Sequence, residues 1–257
     1  MTRALATLAF FGIALLAAAT AGPAAPDADA AKTATSLYAR RDVPLDTDAT
    51  ADFWRQASPI HADRDNYGIL VPGHATTILS RWTEKNLYFF FVCPYQDLYL
   101  KENPDTVAET NRLWNWDVAE VFIGSNFANI QRYKEFEMSP QGEWLDLDIN
   151  LANRSDSDWT WNSGFQVSAR IDRADEIWYG AMRIPFAALA PSSSSDLAGA
   201  SSSSAAQNAP RTGMRFRVNF YRSQGPPAAQ KRIAWQPTER DTFHVPAAFG
   251  ILELAGR

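Results

Sequence analysis

Short runs of β-branched and aromatic residues, separated by turn residues, recur along most of the chain. Thr76–Trp82 (TTILSRW) and Leu87–Cys93 (LYFFFVC) predict two strands, and Glu84-Lys85-Asn86 between them has hairpin length. The unbroken apolarity of the second suggests a central strand. Ala119–Ile123 predicts a third. Tyr133–Met138 alternates, with Tyr133, Glu135 and Glu137 on one face and Lys134, Phe136 and Met138 on the other. Ser139-Pro140-Gln141-Gly142 then turns the chain, and Trp144–Ile149 alternates again. Phe165–Ile171, Ile177–Ile184, Met214–Tyr221 and Phe249–Leu254 complete the series. No segment holds a helical period over three turns; Pro185–Leu189 predicts a single turn. Many short strands without a βαβ rhythm predict an all-β fold, an antiparallel β-sandwich or jelly roll.

The ends and one internal stretch are different material. Arg3 followed by the apolar run Leu5–Ala19 and the small residues Ala19-Thr20-Ala21 predicts a secretory signal peptide over 1–21. That run is short for a membrane span, and no later segment is long and apolar enough for one. Residues 22–40, rich in Ala, Pro, Asp and Thr at their start, predict a flexible linker. The remainder, 41–257, is roughly 215 residues, enough for one domain. Within it, residues 191–210 contain two serine runs with Ala and Gly between, which predicts a disordered insertion between strands of one sheet system.

Charge and composition narrow the partners. A net charge of −5 argues against nucleic acid. Three histidines and one cysteine leave little for a soft-metal site and allow no internal disulfide. Cys93 reads as a small buried hydrophobe.

Candidate chemistry gathers in Leu113–Ile123 (LWNWDVAEVFI). Trp114 lies outside the apolar run, where an exposed ring is unexpected for a core and suits a plate for a sugar face. Glu120 interrupts a buried strand, so it must be paired or functional; Arg183, Arg217 and Arg222 are the competing partners. Asp117 suits a turn cap or a calcium ligand. Trp235 before Gln236-Pro237 is a second candidate for the same groove. Trp54, Trp82, Trp144 and Trp178 read as core or sheet-face residues, and Trp159 and Trp161 as a weaker exposed pair. His244 beside Phe243 reads as structural.

These residues also carry a resemblance. Leu45-Asp46-Thr47-Asp48 with Trp54, Arg81–Tyr88, Trp114-x-x-Asp117-x-x-Glu120-Val121-Phe122-Ile123, Tyr133–Asp146, Arg183-Ile184-Pro185-Phe186, Asn219-Phe220-Tyr221-Arg222, and Trp235 with Phe243-His244-x-Pro246-x-x-Phe249-Gly250 follow in order. From about Pro44 to Leu254 the chain resembles the family 9 carbohydrate-binding modules and their relatives in exported bacterial proteins. The resemblance implies a β-sandwich in which two aromatic rings clamp a sugar at a chain end and polar side chains read its hydroxyls. It puts one ring at Trp114, the second at Phe243, a hydroxyl-reading carboxylate at Glu120 and an amide at Asn219. Two positions depart: Glu137 and Ser139 stand where those modules carry basic and amide sugar contacts. Family members bind calcium structurally, with no ligand set assignable here; no other cofactor is implied.

The expectation is therefore a non-catalytic module that binds an oligo- or polysaccharide through Trp114, Glu120, Asn219, Trp235 and Phe243, serving polysaccharide degradation. It would act as a monomer, secreted or periplasmic, with no nucleic-acid or membrane partner after signal cleavage. Three alternatives stand beside it. Glu120 and Glu137 could be the paired carboxylates of a glycoside hydrolase. Met138 and His244 could ligate haem. A surface interaction domain would have no small ligand at all.

Overall fold

The computed structural model describes residues 32–155, 157–190 and 209–256. Twelve strands make one sheet: β1 (Thr33–Tyr38), β2 (Ile60–Ala62), β3 (Thr76–Trp82), β4 (Asn86–Pro94), β5 (Val118–Gly124), β6 (Arg132–Met138), β7 (Trp144–Asn150), β8 (Gln166–Asp172), β9 (Ile177–Pro185), β10 (Arg215–Gln224), β11 (Lys231–Ala234) and β12 (Gly250–Ala255). Their lateral order is β7-β6-β5-β10-β12-β1-β3-β4-β9-β8, with β11 beside β10 and β2 beside β3. The sheet turns over on itself, so its two halves stack as a sandwich. Phe89 of β4 meets Phe220 of β10 at a ring separation of 5.2 Å. Met138 of β6 lies over Gly180 of β9, where a side chain would collide with it.

The all-β sandwich predicted from the alternation is the observed fold, and most predicted strands fall within a residue or two of their places. Pairing is antiparallel except at β1, which runs parallel to both β12 and β3. That strand is also a correction. It lies inside the segment read as a flexible linker, yet it sits mid-sheet and joins the two halves. Arg81, 5 % exposed, fastens it by donating from Nε to the Leu37 carbonyl (3.0 Å) and from Nη2 to that of Tyr38 (2.9 Å). The predicted signal peptide lies outside the described residues, as do 191–208 of the serine-rich insertion. Phe186–Leu189 forms the expected single turn, as a 3-10 helix.

The continuous apolarity of β4 has a clear cause. Leu87, Phe89, Phe91 and Cys93 face the interior, while Tyr88 and Phe90 face outward beneath Val43, Leu45, Phe53 and Trp54. The opposite half is covered in the same way. Outward-facing Val118, Phe122, Tyr133, Leu145, Leu147, Ile149 and Tyr221 form a second cluster with Leu113, Phe243 and Phe249 from the loops. A strand buried on both faces cannot alternate. The candidate site lies on this second outer face.

Candidate functional site

The outer face of β5, β6 and β10 supplies the floor. On β5, Val118, Glu120 and Phe122 point outward; on β6, Tyr133, Glu135 and Glu137; on β10, Asn219, Tyr221 and Ser223. The register sets Glu120 opposite Glu137 on one side and Tyr221 on the other, and Phe122 opposite Glu135. Three glutamates thus meet on one face, with carboxylate oxygens within 4.8 Å of one another.

Two loops raise walls above this floor. Leu113–Asn115 is a 3-10 turn entered through Arg112 at φ 61, and its Leu113 is wholly buried, which anchors it. Trp114 on that turn is half-buried, and its carbonyl accepts from Gln230 Nε2 at 2.9 Å. Across the floor, Phe243 stacks flat on Tyr221, with centroids 4.0 Å apart and planes at 15°. Between them lies a cavity of about 180 Å³ lined by Trp114, Glu120, Phe122, Glu135, Arg154, Ser223, Gln230, Arg232, Asp241, Thr242, Phe243 and His244. Wider hollows adjoin it on both sides: one shares Gln230, Arg232 and Asp241, and the other shares Trp114 and Arg154. A separate cleft near Ser125 and Asp148, about 20 Å³, has room for little more than a water molecule.

The structure brings Trp114, Glu120 and Phe243 together and leaves Asn219 and Trp235 out of the lining. Asn219 is fully buried and engaged: Nδ2 donates to Tyr221 Oη (2.7 Å) and the Gln236 carbonyl (2.8 Å), and Oδ1 accepts from the Gln236 amide (3.0 Å). Tyr221 Oη in turn donates to the Phe243 carbonyl at 3.0 Å. Asn219 therefore positions the Phe243 wall. Trp235 packs on Phe220 at 5.6 Å and over Gly250, on the interior side of the sheet.

None of the three competing arginines pairs with Glu120. Arg183 binds Gln166, Arg217 donates to the carbonyls of Pro246 and Ile130, and Arg222 lies in the interior on Gln224 and Thr76. Glu120 accepts instead from Ser223 Oγ at 3.0 Å. Asp117 is a loop clamp, accepting from the amides of Gly225 (2.7 Å) and Tyr99 (3.2 Å).

Two alternatives lose their geometry. A glycosidase needs both carboxylates to face one cleft, whereas Glu137 does not line the cavity that Glu120 lines. Met138 faces the interior and His244 the outer face, so they cannot share a haem iron.

Electrostatics follow from burial. Desolvation, then the neighbouring Glu135 charge, raises the Glu120 carboxyl. Burial raises Glu135 likewise, and Glu137 is raised further by burial and by both companions. His244 is held neutral: burial and adjacent Arg154 lower it to about 4. Its Nδ1 lies 2.6 Å from Tyr133 Oη. Arg154, Ser223, Gln230, Arg232, Asp241 and Thr242 are cavity residues that sequence reasoning missed. They sit on loops or strand ends, where periodicity carries no signal. Glu135 had a signal, its alternation with Tyr133 and Glu137.

Fold and cavity together define a class: a β-sandwich with an aromatic-walled cavity on one outer face. The chain belongs to the carbohydrate family 9 binding domain-like family, which it matches over residues 45–257. Its fold is similar to a provisionally assigned carbohydrate-binding protein from Bacteroides uniformis (16 % identity, 87 % of this chain and 99 % of that one, TM-score 0.63). It is also similar to a family 9 carbohydrate-binding module from Caldicellulosiruptor kristjanssonii, in complex with glucose (13 % identity, 87 % and 96 %, TM-score 0.57) and with cellotriose (14 %, 88 % and 95 %, TM-score 0.58). No curated protein sequence matches this chain. Among the described residues no helix is long and apolar enough to cross a membrane.

Proposed function

We propose that this protein binds a saccharide, without catalysis, in the cavity between Trp114 and Phe243. The observation that carries this reading is the convergence of two aromatic side chains from separate loops on a floor that bears carboxylates. An aromatic face accommodates the C–H face of a pyranose. Glu120, Glu135, Gln230 and Arg232 offer acceptors and donors for its hydroxyls. Family membership supports the saccharide class, as do the structures of a C. kristjanssonii family 9 module in complex with glucose and with cellotriose. The cavity holds about one sugar ring, and the adjoining hollows leave room for chain on either side. The apolar, signal-like residues 1–21 support export, where such a module would serve polysaccharide degradation as a monomer.

Calorimetric titration with glucose, cellobiose, cellotriose and xylobiose tests the reading. Binding is expected in roughly the micromolar to millimolar range, since a small open cavity offsets little association entropy. Trp114→Ala should weaken it at least tenfold while the thermal transition stays intact. Absence of heat across the panel, or undiminished binding in Trp114→Ala, overturns the assignment.

A further inference from the structure

The floor of the cavity carries a feature that sugar contacts alone do not explain. Glu120, Glu135 and Glu137 are 2 %, 3 % and 0 % exposed. Like charges on facing positions of paired strands repel, and a buried carboxylate ordinarily has a partner. Here both oxygens of Glu137 and Oε2 of Glu135 lack a well-formed hydrogen bond, with only loose approaches between the two carboxyls and from the Trp114 amide to Glu137. The nearest basic side chains are engaged elsewhere: Arg154 pairs with Asp158 at 3.3 Å, and Arg232 donates to the Asp241 carbonyl at 2.7 Å. The nearest His244 nitrogen is 3.9 Å from Glu135 Oε2, and that ring is neutral above about pH 4.

We infer that Glu120, Glu135 and Glu137 form a site for one divalent, oxygen-preferring cation of the calcium class at the floor of the cavity. The spacing fits. Oxygens bound to one calcium ion at about 2.3–2.6 Å lie at most about 5 Å apart, and these oxygens lie within 4.8 Å of one another. The donor set is carboxylate only, which suits calcium, magnesium or manganese rather than zinc or copper. Three carboxylates and flexible coordination favour calcium, since magnesium keeps most of its water. Glu137 is fully buried and does not line the cavity. Glu120 and Glu135 line it, so the remaining coordination positions face the space assigned to ligand. The site does not depend on the saccharide reading, because the cation alone is the probe.

The test uses the full chain, stripped with EDTA and dialysed. Calcium chloride should raise the thermal midpoint by about 5–10 °C at a hundredfold excess over Kd and give one-to-one binding heat. Glu137→Gln should weaken calcium binding at least tenfold. Circular dichroism checks that this variant is folded, and Glu120→Gln serves as an independent second disruption. No heat and no shift with calcium, magnesium or manganese overturns the proposal. So does a calcium shift retained undiminished in both variants, which would place the ion elsewhere.

Discussion

Phe243 owes its place to residues that never reach the cavity. Asn219 ties Gln236 to Tyr221 Oη, and Tyr221 holds both the ring and the carbonyl of Phe243. Removing the amide breaks three hydrogen bonds made inside the protein, to Tyr221 Oη and to the main chain of Gln236, which costs about 2–3 kcal/mol. Asn219→Ala should lower stability by that amount in urea titration and weaken saccharide binding through the displaced wall. Unchanged affinity would show that Phe243 does not need this support. Gly250 makes a different demand. A Cβ there would lie 2.5 Å from the Lys32 carbonyl and 2.5 Å from the Trp235 ring. Backbone cannot yield as a side-chain tip can, so Gly250→Ala should destabilise by about 2–3 kcal/mol. Gly180→Ala should cost less, because its nearest obstacle is the flexible end of Met138. Parallel denaturation of the two variants gives the ranking, and the reverse order would refute it.

Strand β1 shows where a sequence stops being informative. Thr33–Tyr38 (TATSLY) has one bulky aliphatic side chain and follows a run of Ala, Pro and Asp, so composition reads it as linker. Its place comes from the sheet, where neighbours on both sides take its main-chain groups and Arg81 caps its carbonyls. β2 and β11 escaped for a simpler reason, being three and four residues long. The long strands were legible because each carries its own alternation or apolar run. Of the site, Trp114 was legible as a ring outside the apolar run beside Asn115, and Phe243 only through the family resemblance. The resemblance implies a ligand-reading amide at Asn219, whereas its partner Gln236 lies 17 residues away in the chain and holds it out of the cavity. The glutamate cluster required the β5–β6 register, which no single strand encodes. A consequence follows for the domain boundary. A chain starting at Arg41 would lack β1 and leave the facing edges of β12 and β3 unpaired. It should be insoluble, or melt well below a chain starting at Lys32, in a circular dichroism thermal scan. Equal melting of the two would show that β1 is an accessory strand.

Across the molecule, buried ionisable groups set opposing limits on stability. Asp117, wholly buried, is raised to about 6 by desolvation, against the pull of the Gly225 and Tyr99 amides. Burial raises Glu120, Glu135 and Glu137, and neighbouring glutamate charge raises Glu120 and Glu137 further. A folded chain with raised carboxyls keeps protons that the unfolded chain has released, so stability falls as pH rises from about 4 toward 8. His244 acts in the other direction. Its folded value is about 4 against 6.5 unfolded, so the unfolded chain takes up the proton first and stability falls as pH drops from about 6.5 to 4. Asp42, lowered by hydrogen bonds from Asn86, Thr83 and Tyr88 despite partial burial, adds stability that is lost below about pH 4. Four raised carboxyls outweigh one lowered histidine, so the metal-free protein should have its highest thermal midpoint near about pH 4–4.5 and lose stability toward pH 8. Glu137→Gln should flatten the alkaline limb and leave the acid limb in place. A midpoint that climbs steadily from pH 5 to pH 8 in EDTA would mean that the three glutamates ionise freely, and that the fold carries their charges without a proton or an ion between them.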